Sequence, residues 1–152
     1  MDLLRLDPRR QPSGIWKIRP SGGEPVQVTR HGGFYAFETP DGQWLYVCYP
    51  PKLSRMRPDG SEETPLRNDV AGNFWVIGGH SVYVLSGRPG PGMDLLRAPF
   101  GGSVFETVYD FSDANVPTSG GTALGVPDDE SYLIYRRQTR LLTTLMLIEN
   151  FR

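Results

Sequence analysis

Short segments in which hydrophobic and polar residues alternate recur along the chain, and each predicts a β-strand. Residues 15–19 carry apolar side chains at 15 and 18 and basic side chains at 17 and 19, and the same order returns at residues 53–57, an offset of 38 positions (15 to 53). A third copy starts at Leu95, 42 positions further on (53 to 95). Successive side chains of a strand point to opposite faces, so a period of two indicates extended backbone. A glycine-containing turn and a second extended segment follow each copy, at residues 25–28, 63–66 and 104–109.

A predicted β-hairpin follows each of the three copies along the chain. Its two strands are rich in aromatic and β-branched residues, which pack well on a pleated surface. A turn sequence joins the two strands, as short hairpin connections require. The three hairpins and their turns are residues 34–47 with Pro40-Asp41-Gly42, residues 73–85 with Gly78-Gly79, and residues 122–135 with Pro127-Asp128-Asp129.

Four strands in about 40–50 residues is the repeat that is typical of β-propeller blades. The predicted fold class is all-β, a partial or open propeller with two complete four-stranded blades between two incomplete ones, in one domain. An ordinary β-sandwich is the alternative. The incomplete blades include predicted strands at residues 3–7 and 140–148, although the second of these stretches is also compatible with a helix. The blade pieces are residues 1–29, 33–66, 73–111 and 121–152.

Two blocks of the sequence resemble a known family. Residues 14–29 and the block Pro40-Asp41-Gly42-Gln43-Trp44 to Val47 resemble TolB-type, WD40-like β-propeller repeats, while the third hairpin unit departs because Gly78-Gly79 replaces Pro-Asp-Gly. The closing residues 145–152 resemble the C-terminal end of large bacterial proteins of this type, where a propeller often follows a DNA-binding domain and a membrane segment. The resemblance covers most of residues 14–152. It implies a fold and an interaction role, without catalytic residues.

An open arc of blades leaves apolar sheet faces without a neighbour. We expect that either a longer parent chain supplies the missing blades or two chains assemble as a homodimer, and we favour the parent chain. The compartment stays open. It is cytoplasmic if these 152 residues are the whole chain, and periplasmic if the family resemblance and a longer parent apply.

Composition and charge exclude several classes of function. The 152 residues carry 16 basic and 17 acidic side chains, a net charge of -1. The net charge therefore provides no electrostatic attraction for nucleic acid. No run of 18 apolar residues predicts a membrane span. The single cysteine, Cys48, excludes an internal disulfide and a cysteine-based zinc site, and with two histidines we expect neither a metal nor a cofactor.

The charged residues separate onto the two ends of the predicted blades. Turns at one end carry acids, and loops at the other end carry bases, so a basic rim is expected to bind an acidic protein segment, a phosphate or an anionic headgroup. The alternative is that turns favour Asp and Glu, whereas loops carry solvated Arg. The acids are Glu24, Asp41, Asp59, Glu62, Glu63, Asp128, Asp129 and Glu130. The candidate binding residues of the basic rim are Arg30, His31, Lys52, Arg67, Arg88, Arg136 and Arg137.

No catalytic motif stands out. Gly79-His80-Ser81 resembles part of a nucleophile elbow, but it lies in a hairpin turn instead of a strand-to-helix turn. Trp16, Trp44 and Trp75 lie on predicted strands and are expected to pack in the core. We therefore predict a noncatalytic protein-interaction or ligand-sensing module of a larger bacterial regulator or periplasmic protein. The alternatives are a self-assembling structural unit and the accessory propeller of a hydrolase.

Overall fold

The computed structural model describes residues 13–87, 92–111 and 124–135, and the regular structure in these ranges is entirely β. This confirms the all-β prediction. The predicted strands at residues 3–7 and 140–148 lie outside the described residues. The twelve strands are β1 (Trp16–Lys17), β2 (Val26–Gln27), β3 (Tyr35–Glu38), β4 (Leu45–Tyr49), β5 (Lys52–Met56), β6 (Thr64–Arg67), β7 (Val70–Ile77), β8 (Ser81–Gly87), β9 (Met93–Pro99), β10 (Glu106–Phe111), β11 (Leu124–Gly125) and β12 (Ile134–Tyr135).

The strands form four antiparallel sheets in chain order. The first sheet pairs β1 with β2, and the fourth pairs β11 with β12. The second sheet is the meander β3-β4-β5-β6, and the third is the meander β7-β8-β9-β10. Within each sheet, every strand therefore pairs with its neighbour in sequence, as short turns between strands require. The three predicted hairpins are present as β3–β4, β7–β8 and β11–β12.

The three copies of the repeated segment occupy equivalent strands. They fall on β1, β5 and β9, and β5 and β9 are both the third strand of a four-stranded sheet. Their first apolar residues also face the same way. Ile15 packs against the second sheet, Leu53 packs against the third, and Leu95 packs against the fourth. The second and third copies thus occupy matching positions in the two four-stranded sheets.

Both faces of the second strand are buried in each four-stranded sheet. On β4, Leu45 and Val47 contact the first sheet, whereas Tyr46 and Cys48 contact the third. The strand β8 repeats this arrangement: alternate residues contact the second sheet and the fourth sheet. Burying one large apolar side chain stabilises a fold by about 1.5–3 kcal/mol, so these two strands carry much of the core. Each sheet depends on its neighbours because it cannot cover two apolar faces alone.

The first strands of successive sheets lie close together. The strand β3 contacts β7, and β7 contacts β11. Between β3 and β7, the rings of Phe37 and Trp75 meet edge to face with centroids 5.0 Å apart. The first strands of the second, third and fourth sheets therefore lie next to one another.

The tryptophan prediction is right for Trp75 and wrong for Trp16. Trp75 is fully buried between the second and third sheets, but 58% of Trp16 is exposed. Trp16 lies on the face of the first sheet that points away from the second sheet, and no described sheet covers that face. Trp44 precedes β4 and is half-buried beneath the guanidinium groups of Arg55 and Arg57, which lie 4.3 Å and 4.1 Å from its ring.

Two glycines allow neighbouring sheets to approach. A Cβ on Gly79, in the β7–β8 turn, would lie 2.0 Å from the backbone oxygen of Asp128 in the fourth sheet. A Cβ on Gly60, in the β5–β6 turn, would lie 2.1 Å from the backbone oxygen of Val28 in the first sheet. Real Cβ atoms do not approach a carbonyl oxygen this closely, so both turns need glycine for packing, and Gly60, with a φ of 85°, needs it for its backbone conformation as well.

Candidate binding cleft

A cleft of about 810 Å³ opens on the second sheet, beside the loop that leads to it from the first sheet. This volume lies within the range of about 300–1,000 Å³ that is typical of ligand sites. Three of the predicted basic-rim residues, His31, Lys52 and Arg67, line it. The remaining lining residues are Gly32, Val47, Tyr49, Ser54, Glu63, Pro65, Leu66 and Asn68.

Sheet topology places the three basic side chains at one end of the cleft. Lys52 is the first residue of β5 and Arg67 is the last residue of β6, and these strands are antiparallel, with Leu53 opposite Arg67. His31 lies in the loop that leads from β2 to β3. Loops between antiparallel strands alternate between the two ends of a sheet, so these residues meet although they are 15–36 positions apart (52 to 67 and 31 to 67).

Two of the three basic groups already have an acidic partner. The Nδ1 atom of His31 lies 2.9 Å from Oε2 of Glu63. The guanidinium of Arg67 binds Asp69 through two bonds, Nε to Oδ1 at 2.7 Å and Nη2 to Oδ2 at 2.5 Å. Glu63 was predicted for the opposite, acidic rim, so the two predicted rims are not separate at this point.

Asp69 is held as a carboxylate at the edge of the cleft. Hydrogen bonds from Arg67 lower its pKa below the ordinary value of 3.8, and this effect outweighs burial, which acts to raise the pKa. The hydroxyl of Ser86 donates a further bond of 2.6 Å to Oδ2 and lowers the pKa as well. Arg67 also lies 5.3 Å from the ring of Phe105. Its guanidinium is therefore fixed in place by the third sheet.

Lys52 is the basic group of the cleft that has no ion pair within the described part of the chain. Its side chain is exposed at the mouth of the cleft, and Tyr49 and Pro65 are exposed apolar residues of the cleft lining. Arg30 is exposed beside His31 but does not line the cleft. The remaining predicted rim residues, Arg88, Arg136 and Arg137, lie outside the described residues.

A ligand in this cleft would be held mainly by side chains and not by backbone hydrogen bonds to an edge strand. It is bordered by β6, the edge strand of the second sheet. Edge strands can pair with an added strand, but Pro65 has no N–H to donate and interrupts the edge of β6. The arrangement therefore suits a ligand that combines a negative charge with an apolar group.

Several turn acids serve their own turns. Oδ1 of Asp59 accepts bonds from the backbone N–H and the hydroxyl of Ser61, and Oδ1 of Asp129 does the same with Ser131. These side-chain and backbone bonds lower the pKa of both aspartates below 3.8. The chemistry of tight turns accounts for these two acids without an acidic binding surface.

Glu130 links two sheets, a role that the sequence reasoning missed. Its carboxylate accepts bonds from the backbone N–H of His80 at 2.8 Å, the hydroxyl of Ser81 at 3.1 Å and the hydroxyl of Tyr83 at 2.9 Å. Burial acts to raise the pKa of Glu130, but these bonds outweigh it and hold the pKa below 4.5. The described contacts of Ser81 are thus structural. In the sequence, the acidic turn that follows Pro127 is the one signal that could have indicated this link between the two sheets.

The described ranges offer neither a metal-binding cluster nor a membrane-spanning helix. They contain no group of three or more His, Cys, Asp or Glu side chains placed to hold a metal ion. They also contain no helix with the length and apolar character to cross a membrane. Comparisons with protein-family models, curated proteins and solved structures give no match. The resemblance to TolB-type repeats gains no support from them and stays a prediction.

Proposed function

We propose that the chain is a propeller-type module that binds an acidic peptide segment of a protein partner in the cleft on its second sheet, without catalysis. The proposal has two parts, the arrangement of the sheets and the chemistry of the cleft. The membership of a larger bacterial regulator or periplasmic protein is not needed for either part.

Three features of the fold support the propeller arrangement. The two complete sheets are four-stranded meanders of the same strand order. Successive sheets pack through both faces, and their first strands lie side by side. Radial packing of four-stranded sheets around converging first strands is the architecture of a propeller. Two sheets packed as a closed sandwich would leave one face of each sheet for solvent, whereas β4 and β8 are buried on both faces.

The ammonium of Lys52, which has no ion pair in the described part of the chain, is the observation that carries the binding proposal. The cleft pairs His31 with Glu63 and Arg67 with Asp69, which leaves Lys52 to attract an anion. A carboxylate of a peptide can bind this ammonium while a neighbouring apolar side chain packs on Tyr49 and Pro65.

The contacts of the nucleophilic groups support a noncatalytic role. The hydroxyl of Ser81 donates to Glu130, and Cys48 is fully buried in the core. Burial raises the pKa of the Cys48 thiol to about 12, so the reactive thiolate does not form at neutral pH. Neither group faces the cleft.

A peptide titration tests the proposal. The probe is a fluorescein-labelled decapeptide of alternating glutamate and leucine, and its glutamine–leucine counterpart reports binding that does not depend on charge. We expect fluorescence anisotropy to show saturable binding of the acidic peptide that weakens with salt. Lys52→Gln should weaken it about fivefold, the upper range for an exposed ion pair.

Arg19→Gln is the matched control because Arg19 is an exposed cation that lines a different cleft. This variant should bind the acidic peptide as the wild type does. Equal binding of both peptides, or equal losses from Lys52→Gln and Arg19→Gln, contradicts the proposal.

A further inference from the structure

The first and fourth sheets are complementary halves of one four-stranded sheet. The repeat places β1 in the position of β5 and β9, so β1 and β2 correspond to the third and fourth strands of a complete sheet. The hairpin β11–β12 corresponds to the first and second strands. Its register is that of β3–β4 shifted by 88 positions, since Leu124 pairs with Tyr135 where Ala36 pairs with Val47 (36 to 124 and 47 to 135).

Equivalent residues are buried in the complete sheets and exposed in these halves. On the third strand, Met56 and Ala98 are buried, whereas 57% of the equivalent Ile18 is exposed. On the second strand, Tyr46 and Tyr83 are buried, whereas 63% of the equivalent Ile134 is exposed. The exposed side chains therefore lie where the complete sheets have an apolar neighbour.

We propose that two copies of this chain close into one ring by pairing β12 of each copy with β1 of the other. Each junction is then a composite four-stranded sheet, which has its first two strands from one chain and its last two from the second copy. This inference rests on the propeller arrangement proposed above, but it concerns the sheet edges and not the cleft.

The number of described sheets fits closure by a second copy. The described residues of one chain contribute two complete sheets and two halves, the equivalent of three sheets. Propellers close with four to eight sheets. Two copies of the described sheets make six, which falls in this range. The contact is made twice and is related by a two-fold axis, as in most closed homodimers.

The complete sheets also predict the register of the junction. The second and third strands pair Tyr46 with Arg55 in the second sheet and Tyr83 with Arg97 in the third. The equivalent residues are Ile134 on β12 and Lys17 on β1. The junction therefore places Ile134 of one copy opposite Lys17 of the other and extends the antiparallel ladder across both chains.

Mass measurement and disulfide trapping test this pairing. Light scattering after size exclusion should give about 34 kDa, twice the 17.0 kDa of one chain. Lys17→Cys and Ile134→Cys are made as separate proteins and mixed under mild oxidation. Directly opposed strand residues are close enough for a disulfide, so the mixture should give a covalent dimer on non-reducing gels, and neither protein alone should do so.

Arg19→Cys mixed with Ile134→Cys is the off-register control, because Arg19 lies two residues along the chain from the predicted partner. It should cross-link at least tenfold more slowly. Three results each overturn the proposal. They are a 17 kDa species with no cross-link, a disulfide within a Lys17→Cys/Ile134→Cys double variant that stays monomeric, and a ladder of larger covalent oligomers.

The double variant Ile18→Lys with Ile134→Lys separates this inference from the peptide-binding proposal. Both side chains are exposed in the single chain, so the variant should fold and run as a monomer. It should still bind the acidic peptide, because neither residue lines the cleft. A variant that stays dimeric overturns the second-copy assembly, whereas a monomer that no longer binds the peptide overturns the assignment of the binding site.

Discussion

The Tyr83 hydroxyl donates a hydrogen bond of 2.9 Å to Oε2 of Glu130 and joins the third sheet to the turn of the fourth. The same carboxylate accepts the backbone N–H of His80 and the hydroxyl of Ser81. A polar clamp thus accompanies the apolar contacts between Phe74, Leu85 and Leu124 in the same layer.

Replacing Glu130 with glutamine should destabilise the protein by about 2 kcal/mol, because hydrogen bonds to a charged group contribute about 1.5–3 kcal/mol and the amide NH₂ cannot accept the bonds that an oxygen accepts. Urea unfolding followed by tryptophan fluorescence measures the change. Glu24→Gln, at an exposed acid in the β1–β2 turn, is the control and should change stability by less than about 0.5 kcal/mol.

The Glu130 clamp should also make stability depend on pH. Its pKa in the folded state lies below the ordinary value of 4.5, so the stabilisation is fully present above pH 4.5 and disappears as the pH falls through the folded-state pKa. The difference in unfolding free energy between wild type and Glu130→Gln should therefore shrink on acidification. A difference that stays constant down to pH 2, or that grows, contradicts this assignment.

Gly79→Ala should destabilise the chain by about 1–3 kcal/mol, the usual cost of inserting a methyl group into a packed contact. The added Cβ would lie 2.0 Å from the backbone oxygen of Asp128, which belongs to a turn and cannot move as a flexible side chain does. Gly87→Ala is the matched control, since nothing lies within 4 Å of the added Cβ. The control should be neutral or stabilising by about 0.5 kcal/mol, and equal losses in both variants would disprove the close approach of the two sheets.

Glu63→Gln should change peptide binding in the opposite direction to Lys52→Gln. Glu63 lines the cleft and neutralises part of its positive charge, so removing its charge should tighten binding of the glutamate–leucine peptide about threefold. The same anisotropy titration measures it, and Glu24→Gln serves as the control at an acid outside this cleft. Weaker binding to the Glu63 variant would mean that the peptide does not approach along this wall.

Cys48 should resist thiol reagents in the folded protein. Its side chain is fully buried between the second and third sheets, and burial raises the pKa of the thiol to about 12. We expect less than one-tenth of the protein to react with a chromogenic disulfide reagent at pH 8 until urea unfolds it. Ser103→Cys adds a thiol at an exposed turn and should react at once. Rapid reaction of the wild type would place Cys48 outside the core.

The strands could be predicted because alternation is a local property of the sequence. Leu53 and Ser54 lie on opposite faces in any strand that contains both, whereas Leu53 and Arg55 share a face. The exposure of Trp16 could not be predicted in this way, because it depends on which sheet covers its face.

Three residues of the predicted basic rim, His31, Lys52 and Arg67, line the cleft, because loops between antiparallel strands alternate between the two ends of a sheet. The sequence analysis missed Glu63 as the partner of His31. Because β6 is only four residues long, Glu63 in the turn at its far end still reaches His31.

Amide hydrogen exchange measured by NMR tests most directly whether the chain is built from equivalent sheets that are buried on both faces. The account predicts that the slowest amides lie on β4 and β8, at residues 46–48 and 82–85, with similar protection in the two strands, because these strands are covered by neighbouring sheets on both sides. The edge strands β6 and β10 should exchange much faster. Strong protection of β8 with free exchange of β4, or equal protection of β4 and β6, would contradict it.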